Sequence, residues 1–352
     1  MPRVISIGCQ TAMAILGCIT AASPAVYAQI TASGWTSKVI ELPASQVGER
    51  PPVATSVALH PDGSSLAIAG DDHFVYLYDL RTQHFTKRLQ AHRDWVRTVA
   101  YSPNGKLLAS SGNDHEILLW DVNATSPLRN RLRVEEAVAA IAFNTDGSKL
   151  AAIGFDKTLR LFDTSTGAII RDLTCPCVDM RALAWSPDGQ FIAAAGRNGK
   201  VRLWDAVTGR ENDDLEPHEQ RVRDLTFSQD GSVLVTASED RTIRVSNVAS
   251  ADTFVLHTGN AKVLAVEFCG PDLLASAGTD NAIRIWDLKT RQEVTRLTGH
   301  TGSVAALAYG GEMLVSTGYD STVRLWTRER SIADKNPPAT PRVGALPLPR
   351  LQ

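Results

Sequence analysis

Charge is missing from the first tenth of this chain. Arg3 is the only charged residue before Lys38. The run Ala12–Ala28 is apolar or small and closes on Val26-Tyr27-Ala28, the layout of a secretory signal peptide ending before Gln29. Residues 1–28 are therefore expected to be a signal that exports the chain to the periplasm or the outside of the cell. A retained anchor and an ordinary disordered start are the alternatives. Ile15-Leu16-Gly17-Cys18 loosely resembles a lipoprotein box, but the apolar run continues past Cys18 and favours the later cleavage.

Cysteine is scarce as well. Of five, only Cys175, Cys177 and Cys269 lie beyond the signal, and three thiols in an oxidising compartment do not make a disulfide framework. Cys175-Pro176-Cys177 has no nearby His or further Cys, so no metal site is expected. The net charge is −2 and no run of like charges occurs, which speaks against nucleic acid and against an anionic membrane surface. HExxH, GxSxG and phosphate-loop signatures are absent, as are paired acids outside turns and rims. No cofactor is implied, and the chain is expected not to be an enzyme.

What the chain does have is turns and a period. It carries 25 Gly and 17 Pro with only 6% aromatics, a composition suited to many short strands. In Gly299–Trp326, two apolar runs flank a Gly-Gly turn, and Tyr319-Asp320-Ser321 leads into an alternating third run. These read as three antiparallel strands. Three strands cannot bury their faces alone, so the unit needs copies. Six more segments end alike, in FVYLYD, ILLWD, LRLFD, VRLWD, IRVSN and IRIWD. The closing residues Asp79, Asp121, Asp163, Asp205, Asn247, Asp287 and Thr327 lie 42 apart as far as Asn247 and 40 apart thereafter. Hairpin turns recur in register at Pro61-Asp62-Gly63, Pro103-Asn104-Gly105, Thr145-Asp146-Gly147, Pro187-Asp188-Gly189 and Gln229-Asp230-Gly231, with Gly270-Pro271-Asp272 in the sixth unit. Asn/Asp-Gly pairs supply the positive φ that such hairpins need.

With this spacing and its aromatic-Asp endings, the chain resembles the WD-repeat β-propeller family over about residues 35–330. The resemblance implies an all-β fold: a seven-bladed β-propeller of four-stranded antiparallel blades. It also implies that an N-terminal strand, Trp35–Leu42, joins the last blade and closes the ring. Residues 331–352 are Pro-rich and unpatterned and read as a disordered tail.

The family joins a His, a Ser or Thr, an Asp and a Trp into a buried hydrogen-bonded chain within each blade. Two blades match in full here, with His92, Ser110, Asp114 and Trp120, and with His300, Ser316, Asp320 and Trp326. Blade six has Ser276, Asp280 and Trp286 but Asn260 at the His position. Blade five has His218, Thr236 and Asp240 but Ser246 for Trp. Because the set recurs at fixed offsets, it reads as structural rather than as a catalytic triad.

Partners of the family commonly meet the face that carries the second-to-third strand turns and the entries to the first strands. There the resemblance places three aromatics, Trp95, Phe155 and Tyr319, and the arginines Arg97, Arg181, Arg197, Arg221 and Arg223. Aromatic and Arg anchors are typical of interface hot spots, and converging guanidinium groups suit a carboxylate or a phosphorylated segment. The expectation is an exported scaffold that binds a protein or peptide ligand, acidic or bearing aromatics, on this top face. It would act as a monomer or within a hetero-complex, without nucleic acid and without a membrane once the signal is removed. Against this stands a plainer reading, in which the arginines pair with Asp179, Glu239 and Asp224 around a wet channel. The alternative function is a small-ligand sensor or propeller enzyme with its site in the central channel.

Overall fold

The computed structural model describes residues 29–30, 34–44, 50–90, 92–175, 179–212 and 215–328. The expected signal peptide, Cys177 and the C-terminal tail lie outside them. Among the described residues there are seven antiparallel sheets and no helix. Six sheets have four strands each, ordered in sequence from the inside outward. Blade one shows the pattern, with strand a at Ala54–Leu59, b at Ser65–Gly70, c at Phe74–Asp79 and d at His84–Gln90. Neighbouring a strands touch around the full circle, the last, Val304–Gly310, against Ala54–Leu59. The seven-bladed β-propeller is thus closed.

Each sheet lies between two others, and this explains the sequence of its middle strands. Strand b of blade two, Leu107–Gly112, is buried at every position and reads LLASSG, with small side chains where sheets approach closely. Outer strands see solvent on one side; His84–Gln90 alternates exposed and covered residues. The apolar clusters join blades rather than fill them. Leu274 and Trp286 of blade six pack with Val235 and Val245 of blade five, and fully burying one such aliphatic side chain contributes about 1.5–3 kcal/mol. The a–b hairpins turn on Gly63, Gly105, Gly147, Gly189 and Gly231, all with φ between 70° and 75°, a region that costs a residue bearing Cβ.

Closure works as the sequence implies. Trp35–Glu41 pairs along its whole length with Thr322–Arg328 and supplies the outer strand of blade seven. Ile40 packs with Leu66, Ile68 and Val323, linking blade seven to blade one, while Trp35 and Trp326 pack on Ile283 and Ile285 of blade six. Beyond this strand lies a further one that the periodicity does not announce. Gln29–Ile30 pairs with Thr36 and Ser37 and makes blade seven five-stranded.

Every a strand shifts register with its b strand after the first residue pair. Such bulges strengthen the local twist. The inner edges also bond across blades: Thr55 Oγ1 donates to the Val96 carbonyl at 2.5 Å, and the Val266 N–H donates to Asp224 Oδ2 at 2.9 Å.

Candidate functional site

Where the a strands begin, their side chains surround the axis and form a mouth. A cavity of about 290 Å³ opens there, lined by Trp95, Arg97, Arg181, Arg223 and Tyr319 above and by Asp224 and small or aliphatic residues below. Trp95 and Tyr319 are half exposed, at 49% and 52%. Phe155 lies beneath two cations, with the guanidinium carbons of Arg181 and Arg97 4.4 and 5.2 Å from its ring centre. Such stacking contributes about 0.5–2 kcal/mol and orients the guanidinium plane.

The arginines divide by partner. Arg181 Nε donates to Asp179 Oδ1 at 2.5 Å, and Arg221 reaches the other Asp179 oxygen at 2.7 Å. Glu239 receives Arg221 at 3.4 Å, Arg223 at 3.5 Å and Lys262 at 2.9 Å. Arg97 is different. Its Nε donates to a neutral acceptor, Asn113 Oδ1, at 2.5 Å, and it forms no ion pair among the described residues. Burial, and then the adjacent Arg181 charge, pull Arg97 below the usual guanidinium value, though a guanidinium stays protonated in proteins. The plainer reading therefore describes Arg181, Arg221 and Arg223 but leaves Arg97 as surplus positive charge. Of the eight residues placed at this mouth, the structure brings Trp95, Arg97, Arg181, Arg223 and Tyr319 around one cavity, with Phe155 under them. Arg221 stands behind Asp179 and Glu239, and Arg197 is exposed away from the cavity.

Asp224 does not pair with an arginine. Its oxygens accept the N–H groups of Leu225 and Val266, each at 2.9 Å. It is partly exposed by surface, yet the strands around it hem it in, and burial pushes its carboxyl up to about 7. Glu267, on the next a strand, is pushed up to about 8 by burial and by the neighbouring Asp224. These two are the only acids on the seven a strands. Glu267 went unnoticed in the sequence because it looks like any charged residue in an alternating strand. The signal was available, since the matching positions in the other blades hold Ala58, Ala100, Ala142, Ala184, Thr226 and Ala308.

Inside the blades, His92 Nδ1 meets Asp114 at 2.8 Å and Nε2 meets Ser110 Oγ at 2.7 Å, which also accepts the Trp120 indole N–H at 2.8 Å. His300, Asp320, Ser316 and Trp326 repeat this at 2.9, 2.7 and 2.8 Å. His218 joins Asp240 and Thr236, both at 2.8 Å, while Ser246 bonds Thr253 at 2.7 Å where an indole would stand. In blade six the Trp286 N–H reaches Ser276 at 2.8 Å. Blades without the His answer the turn Asp from the residue four positions on. Tyr76 donates to Asp72 at 2.5 Å, Arg284 to Asp280 at 2.5 Å, and Arg160 to Asp156. A polar residue four after the turn Asp was legible in the sequence and was missed, because the strand pattern alone marks it as a solvent-facing position.

Burial depresses His218 and His300, against the pull of Asp240 and Asp320, so their imidazoles are neutral in the fold. Burial alone would raise Asp320; the Thr301 N–H and His300 outweigh it and hold it below the ordinary value.

Residues 53–286, about two thirds of the chain, match the family model of the IFT122 first beta-propeller. Residues 291–327 match that of the WD domain, G-beta repeat. Among curated proteins, none matches. With the closed ring and its repeated buried networks, these matches show that the chain belongs to the WD-repeat β-propeller family.

Proposed function

We propose that this propeller is a non-enzymatic protein-interaction scaffold and that its mouth holds an acidic segment of a partner protein. The observation that carries this is Arg97, a partly buried cation without a carboxylate, beside Arg181 and Arg223 on one cavity. A carboxylate entering there would gain a charge-assisted bond without breaking an existing ion pair. Trp95 and Tyr319 offer it an aromatic rim. The channel-enzyme alternative would draw on Asp224 and Glu267, but the two backbone bonds of Asp224 already account for it.

Lysine cross-linking of the full chain with its captured partner tests the face used. Lys262 stands at the mouth beside Glu239, whereas Lys106 and Lys289 lie on turns at the opposite ends of the strands. Cross-links concentrated at Lys262 support the reading; cross-links confined to Lys106 and Lys289 overturn it.

The uncharged, apolar segment before Ala28 supports export of the scaffold from the cytoplasm. Protein recovered outside the cytoplasm with an N-terminus at Gln29 is the expected result. Full-length chain retained wholly in the cytoplasm would contradict it.

A further inference from the structure

Four-stranded blades leave the outward edge of each d strand without a ladder partner, and such edges accept an added strand. The molecule already does this once, where Gln29–Ile30 lies as a fifth strand outside Trp35–Glu41. Blade two offers the most strongly charged of these edges. Its d strand, Leu128–Arg133, reads LRNRLR, three cations and no acid, while the d strands of blades three to seven balance or lack positive charge. In blade one, Lys87 is occupied by the Val122 and Ala124 carbonyls and Arg88 by the ring of Phe74.

In blade two a single carboxylate, Glu116, serves both Arg131 and Arg133, the latter with its side chain 75% exposed. Arg129 has no acidic partner among the described residues. A groove of about 480 Å³ runs along this strand to the turn of blade three at Thr166 and Gly167. Exposed aliphatics flank it: Leu128 on the strand itself, and Ile169 and Ile170 at 53% and 47% on the next blade. The two terminal stretches outside the described residues do not complement it: residues 1–28 contain no acid, and residues 329–352 hold two acids against four basic residues.

We infer that the outer edge of blade two is a second docking surface, which takes an acidic, aliphatic-rich segment of a partner protein as a fifth strand. Acidic side chains would meet Arg129 and Arg133, and aliphatic ones would cover Leu128, Ile169 and Ile170. The surface is separate from the mouth and does not depend on it.

The test uses the full chain and a fluorescein-labelled peptide of alternating Glu and Val, with alternating Lys and Val as control. Anisotropy gives the affinity, and hydrogen exchange read by mass spectrometry gives the site. The expected result is binding of the Glu peptide alone, with slowed exchange over residues 128–133. Arg129→Glu combined with Arg133→Glu should weaken it about tenfold or more, about what two lost charge contacts amount to. Arg129 has no ion pair to lose among the described residues, so Arg129→Glu alone should leave the melting curve in place while weakening the peptide, which separates lost docking from the lost Arg133–Glu116 contact of the double variant. In Arg97→Glu the protection over residues 128–133 should persist. Absence of binding, or protection at the mouth without protection at 128–133, overturns the inference and leaves the mouth reading standing. An oligouridylate that binds as tightly as the peptide and is lost in the double variant would also overturn it, in favour of nucleic acid.

Discussion

At the scale of single residues, the buried polar groups carry the most consequence. Ser316 Oγ stands between the Trp326 indole and His300 Nε2, and both Ser316 and Trp326 are fully buried. Ser316→Ala orphans both neighbours and should cost about 1–3 kcal/mol or more, seen as a lower urea midpoint with an unchanged slope. The neutral imidazoles add an acid limit. Folded His218 and His300 titrate below 6.5, the ordinary value, so the stability they contribute is present above that value and is lost as pH falls through the folded one. Glu267 acts in the opposite direction. Burial lifts it from 4.5 to about 8, so the folded chain keeps a proton that the unfolded chain releases. Its contribution is complete below the unfolded value and vanishes as pH rises through 8. Glu267→Gln should therefore raise Tm, by a margin that widens from pH 5 to pH 9. An equal Tm difference at both pH values would refute a Glu267 carboxyl held protonated by the strands around it. The His–Ser–Asp–Trp sets were legible because the spacing repeats. Glu267 and the Asp-plus-four partners were not, since what makes them unusual is the neighbouring strand, which a single strand's alternation does not reveal.

Among elements, the strand Trp35–Glu41 decides whether blade seven has an outer edge. It makes seven consecutive pairings with Thr322–Arg328 and carries Ile40 into the core shared with blade one. Ile40→Asp would bury an unpaired charge there, a change that large-effect substitutions share. Loss of several kcal/mol is expected, with hydrogen exchange accelerating first in residues 322–328 and 54–59. Uniform acceleration in all blades would argue against a closure held at this seam. The strand itself could be read from the sequence because blade seven lacked a fourth strand of its own. Its companion Gln29–Ile30 could not, being two residues without a period, adjacent to an apolar stretch that reads as a signal. Turn chemistry was plain throughout: the Gly of each Asp-Gly or Asn-Gly hairpin adopts the left-handed φ that the pair of residues demanded. At the ends of the b strands a different constraint operates. A Cβ on Gly278 would lie 1.8 Å from the Lys262 carbonyl oxygen, so Gly278→Ala should lower Tm by forcing the entry loop of blade six away from the mouth.

Taken as a whole, the molecule is a ring with near-neutral total charge and a locally positive axis. The formal charge of −2 gave no hint of this, because surplus arginine at the mouth is balanced by acids in turns elsewhere. Family geometry did not tell which of the eight expected mouth residues line the cavity, nor which were already engaged. Ion pairs to Asp179 and Glu239 withdraw Arg181, Arg221 and part of Arg223 from free recognition, and no spacing rule distinguishes these from Arg97. The most direct measurement is the equilibrium affinity of the captured partner's acidic segment for the parent chain, for Arg97→Glu and for Arg197→Glu. Arg97→Glu should weaken binding about tenfold or more, equivalent to 1.4 kcal/mol, while exposed Arg197→Glu leaves it unchanged. Equal affinity in all three proteins would contradict a cationic mouth as the binding site.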